Sequence, residues 1–179
     1  MFGRLSVIGY DETIKCNANG KAISIIVGEK VYDVEEELFR SDALKGYATR
    51  CWCVSRIGEQ GTKGYFVIKD SWVDIRHTRS EINTLKHIQN EGLCKDGSVP
   101  TLIHGEDVPL YGGADSKPIS IKDSTTRRHA PNGKVEERVH HWLLMGPVGI
   151  HIIDFKCLKE LVGTFIDIVE GNISYHYHH

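Results

Sequence analysis

Residues 65–70, YFVIKD, split into two alternating sets, with Tyr65, Val67 and Lys69 on one side and Phe66, Ile68 and Asp70 on the other. A period of two marks a half-buried strand, because successive side chains of a strand point to opposite faces. Just before it stand the run ATRCWCVSRI, residues 48–57, and the glycine-rich GEQGTKG, residues 58–64. Two strand-like runs joined by such a turn predict an antiparallel hairpin with a long loop. The lysine that closes the apolar side of the second strand needs an explanation. Its commonest reading is an edge residue aimed at solvent.

The flanking segments supply the rest of an α+β pattern. KAISIIVGEKVYDVE predicts strands over Ala22–Val27 and Val31–Val34 around a turn at Gly28. In TRSEINTLKHIQNE, Ile82, Leu85 and Ile88 recur at three-residue steps, with Arg79, Glu81, Lys86 and Gln89 off the stripe. That spacing predicts a short amphipathic helix. SVPTLIHG, residues 98–105, reads as another short strand, and residues 105–137 as an exposed polar insertion. RVHHWLLM, residues 138–145, is a strong strand, and GPVG breaks it. FKCLKELVGTFIDIVEG then predicts a helix with Leu158, Leu161, Val162, Phe165, Ile166 and Val169 on one face.

Composition narrows the class. The 179 residues are 40% hydrophobic and 26% charged, with a net charge of −2. This is ordinary globular composition, without the basic excess that a nucleic-acid binder needs. No stretch is long and apolar enough to span a bilayer, and MFGRLSVIGYDE lacks the apolar core of a signal peptide. Five scattered cysteines, an odd number, fit a reduced intracellular setting better than a disulfide framework.

Glu81 follows Lys69 by twelve positions, on the predicted helix that comes after the lysine strand. A helix packed beside that strand can turn the carboxylate toward the ammonium, and a buried ammonium needs such a partner. Nucleotide phosphotransfer uses this pair: the lysine holds phosphate oxygens and the helix glutamate fixes the lysine. Val67, two residues before Lys69, lies on the same face, where an adenine can rest.

Across most of its length the chain resembles the fungal-type protein kinase family. The matching segments are IGYDETI, LFRSDALKGYATRCWCV, YFVIKDSW, SEINTLKHI and LLMGPVGIHIIDFKCLKELVGTFIDIVEG, and Lys-Asp-Ser-Trp is the most specific. The resemblance implies a kinase-like N-lobe, an antiparallel sheet with one main helix, over residues 1–145, carrying the insertion at 105–137. A hinge and the incomplete start of a C-lobe follow over 146–179. It implies ATP as ligand, with Lys69 as the phosphate-pairing lysine and Glu81 as its partner. Gly46 opens a degenerate G-x-G-x-x-G-x-V loop, in which Ala48, Cys51 and Cys53 stand for glycine, glycine and valine. Leu144–Val148 is expected as the interlobe linker, with backbone groups at Met145 facing the adenine edge. The sequence holds no His-Arg-Asp and no Asp-Phe-Gly. The proton-accepting aspartate and the magnesium ligands are therefore missing, and the 179 residues are expected to be inactive alone. The alternative is a non-catalytic interaction module.

Other groups carry blander readings. Cys51 and Cys53 share a strand face and His140–His141 sit on another strand, but no C-x-x-C pair is present. They read as buried thiols and surface histidines rather than a metal site. Arg127–His129 and the terminal HYHH read as solvated. Trp52 and Trp72 read as packing residues, with Trp72 bracing the glutamate helix. The apolar face of the 155–170 helix calls for a covering partner.

Overall fold

The computed structural model describes residue 11 and residues 13–42, 48–58, 61–74, 80–92, 99–111, 118–120 and 138–177. Strands β1 (Ile14–Cys16), β2 (Ala22–Val27), β3 (Lys30–Arg40), β4 (Arg50–Ile57) and β5 (Lys63–Asp74) precede helix α1 (Glu81–Asn90). Strand β6 (Thr101–Asp107), the small pair β7 (Pro109–Tyr111) and β8 (Pro118–Ser120), and β9 (Arg138–Gly146) follow. A 3-10 turn at Ile152–Asp154 leads to helix α2 (Leu158–Tyr177). Seven strands form one sheet in the order β1-β2-β3-β4-β5-β9-β6, and every neighbouring pair in it is antiparallel.

Local chemistry accounts for most of these elements. The two-residue link between β2 and β3 has Gly28 at φ +58°, a backbone that favours glycine and suits a tight hairpin turn. Ser80 caps α1, its Oγ accepting a hydrogen bond from the Asn83 N–H at 3.1 Å. The predicted stripe of Ile82, Leu85 and Ile88 is the buried face of α1. Strand β9 is last in sequence but lies between β5 and β6. This explains its continuous apolar run, since Trp142 and Leu144 pack on one face of the sheet and Leu143 and Met145 on the other.

The core therefore has two parts. On the face away from α1, Ile25, Val27, Tyr32, Trp52, Val54, Ile68, Trp142 and Leu144 form the larger cluster, joined by Val108. On the α1 face, Ile82 and Leu85 pack with Leu102, Leu143 and Met145.

Three expectations change. Strand β3 runs on to Arg40 rather than stopping at Val34: its pairing with β4 continues past Val34 through two register shifts. Residues 105–108 are not exposed insertion: β6 continues to Asp107, and Val108 is 2% exposed with its N–H bonded to the His140 carbonyl at 2.9 Å. Residues 121–137 of that insertion lie outside the described residues. Strand β9 also extends through Gly146, so Leu144 and Met145 belong to the sheet and not to a linker. Among the described residues no helix is long and apolar enough to cross a membrane.

Candidate nucleotide site on the helix face of the sheet

Lys69 projects from β5 on the face that α1 covers. Its Nζ lies 2.6 Å from Glu81 Oε2 and donates to Oε1 at 2.8 Å, so the carboxylate grips the ammonium with both oxygens. The side chains are 26% and 45% exposed. A pair so open to water contributes about 0–1 kcal/mol to stability. It holds the lysine in place far more than it holds the fold together.

Three contacts fix the helix that carries Glu81. The Ser80 cap sets its first residue. A Cβ at Gly105 would lie 3.0 Å from Ile82 Cγ2, so the bare backbone of β6 lets the helix approach. At the other end the Gln89 amide bonds Leu102 at both its N–H (3.1 Å) and its carbonyl (3.2 Å). This satisfies backbone groups of an edge strand, a role hidden in a residue that sequence periodicity places off the buried stripe.

Around Lys69 the strand register builds a row. Phe39 pairs with Cys51, Cys51 with Lys69, and Lys69 with Leu143. The next row runs Glu36, Cys53, Val67 and Met145. Directly paired residues of antiparallel strands share a face. Val67, Lys69, Glu81 and Met145 are thus brought together on one side, with Cys51 and Cys53 beside them. Met145 offers its side chain there, packed with Val67, while its backbone lies in the sheet between Val67 and Leu102. Burial, the largest influence, pushes the Cys51 thiol up. Lys69 acts against it, and Glu81 and Asp70 add to it. The thiol therefore stays protonated at neutral pH.

Gly46 lies outside the described residues. Of the same β3–β4 connection, Ala48 is described, and its φ of +45° is a left-handed backbone that favours glycine. Alanine thus stands where the chain bends as a glycine would.

A family model described as fungal protein kinase matches residues 1–178. The chain belongs to the fungal protein kinase family. No curated protein and no solved structure matches it. The antiparallel sheet with α1 packed on it resembles a kinase N-lobe.

Sequence reasoning missed three features. Phe39 stands in the Lys69 row and is 53% exposed. Only the β3 irregularities put it there, and those cannot be read from residue types. Nor does Trp72 brace the glutamate helix. It stacks on His140 with ring centroids 4.5 Å apart, on the opposite face. His140 is no surface histidine either: it is 3% exposed, pairs with the buried Asp70 carboxylate, and has Asp11 Oδ2 at 4.0 Å from Nδ1. Asp70, next to Lys69 in sequence, points the other way because strand neighbours alternate. Among the described residues no group of three or more His, Cys, Asp or Glu could hold a metal ion.

Proposed function

We propose that the helix face of this sheet is the ATP-binding part of a serine/threonine-type phosphotransferase. One observation carries the reading: Glu81 holds Lys69 by both oxygens at the mouth of a face that is only partly covered by α1. Lys69 would pair phosphate oxygens, with Glu81 keeping its ammonium aimed. Val67 and the Met145 side chain, half-buried and buried, would meet the adenine ring, and the Gly46 loop would cover the phosphates. Bound ATP supplies the phosphoryl group, and magnesium would neutralise its oxygens. Residues 1–179 contain neither a His-Arg-Asp nor an Asp-Phe-Gly to accept the proton or hold the metal. These residues alone should therefore bind nucleotide without transferring phosphate. An intracellular setting fits the free cysteines Cys16, Cys51, Cys53 and Cys157.

The test is the thermal shift of residues 1–179 with ATP. A shift that Lys69→Ala abolishes supports the reading, and no shift in the parent protein overturns it. Phosphate incorporation into protein that Lys69→Ala removes would overturn the expectation of inactivity.

The second reading, a non-catalytic interaction module, is favoured by α2. Leu158, Val162, Phe165, Ile166 and Val169 on this helix are all more than half exposed. Such a patch is suited to a protein partner. A module of this kind would show no nucleotide-dependent shift.

A further inference from the structure

The face of the sheet opposite Lys69 carries a cavity of about 290 Å³, lined by Lys21, Ala22, Val34, Glu37, Arg40 and Trp52. Strand β3 supplies three of these residues at three-residue steps, which a regular strand would place on alternating faces. Pairing with β4 shifts between Val34 and Glu36 and again between Glu37 and Phe39. The two shifts turn Val34, Glu37 and Arg40 to the same side. Bulges of this kind re-aim side chains and are common beside functional sites.

The polar groups of the cavity are unbalanced. Arg40 is held by Glu37, with Nε to Oε1 at 2.9 Å and Nη2 to Oε2 at 3.2 Å. Lys21 makes no ion pair among the described residues, so the lining has one cation in excess. Trp52 is 1% exposed, and its indole N–H is buried without an acceptor. Ala22, Val34 and the indole itself supply apolar wall.

We propose that this cavity binds a small monocarboxylate with a flat apolar body. The carboxylate takes the Lys21 ammonium and the spare donors of Arg40, and the ring lies against Trp52 and Val34. A single excess charge matches a carboxylate better than a doubly charged phosphate. The volume sits at the lower end of small-molecule pockets. The site is on the face away from Lys69 and does not rest on the nucleotide reading.

The experiment titrates isotope-labelled residues 1–179 with benzoate and follows the three tryptophan indole N–H signals. The Trp52 signal is assigned by its loss in Trp52→Phe or, should that variant not fold, by through-space contacts to the Val34 and Val54 methyls. Benzamide, of the same size but neutral, and inorganic phosphate are the comparators. The expected result is a saturable shift of the Trp52 signal with benzoate alone, weakened at least tenfold in Lys21→Ala at unchanged melting temperature. No saturable shift, an equal response to benzamide or phosphate, or full binding in Lys21→Ala overturns the proposal.

Discussion

The two faces of the sheet are built from the same strands by opposite rules. Away from α1, Trp52, Ile68, Trp142 and Leu144 are each no more than 1% exposed, and even the polar groups there, Asp70 and His140, are buried against each other. On the α1 face a smaller cluster sits under the helix, while Lys69, Glu81 and Phe39 stay partly in water. Strand β5 shows the division within one dipeptide: Lys69 faces the helix and Asp70 the dry core. The lesson is one of labour. A closed apolar layer supplies the free energy and fixes the register, which frees the other face to keep a charged pair that adds little to stability.

The largest effect should come from the closed face. Trp142→Ala removes a side chain that is 1% exposed, and large-to-small changes of this kind cost roughly 3–5 kcal/mol. Urea unfolding should show the loss. A cost below about 1 kcal/mol would mean that the layer is not the main store of stability. Next, His140→Ala leaves the Asp70 carboxylate buried without its partner and removes the ring that Trp72 stacks on. An unsatisfied buried polar group costs about 1–3 kcal/mol, more when charged. The helix-face equivalent, Lys69→Ala, should cost under about 1 kcal/mol yet abolish any ATP-dependent thermal shift. If Lys69→Ala destabilised as much as His140→Ala, the contrast between the faces would fail.

Two smaller effects sharpen the comparison. Ala48→Gly suits the φ of +45° and should leave stability equal or raise it by up to about 1 kcal/mol. A clear loss would mean that the alanine methyl has a packing role. Last comes pH. Burial lowers the His141 imidazole from its ordinary value of 6.5, Asp107 pulls it back up, and His140 lowers it slightly. The folded value is below the unfolded one, so the unfolded chain takes the proton first as pH falls. The contribution is complete above 6.5 and lost as pH drops from there through the folded value. His141→Gln should flatten the pH dependence of stability in that window relative to the parent. An identical slope would show that Asp107 cancels the burial.

How much was legible depended on the range of the interaction. The strand alternation at Tyr65–Asp70, the Gly28 turn and the Ile82–Leu85–Ile88 stripe are local patterns, since backbone geometry sets their periods of two and near three and a half. The Lys69–Glu81 contact was readable because only twelve positions of chain separate the two residues. Family resemblance put weight on the same pair, and the family model that matches residues 1–178 bears out the resemblance itself.

What the sequence by itself determined, then, is most of the longer elements, though not β1, β7 or β8, the α+β class and the side of β5 that carries the lysine. Tertiary structure alone decided that β9 inserts between β5 and β6, that β6 runs on to Asp107, and that β3 slips twice against β4. It also decided that His140 closes on Asp70 across seventy positions of chain. The physical reason is the same in each case. A strand's period states which side chains share a face but not which face is dry, nor which strand lies alongside. Those follow only when distant strands compete to bury their apolar residues and leave no backbone group unpaired.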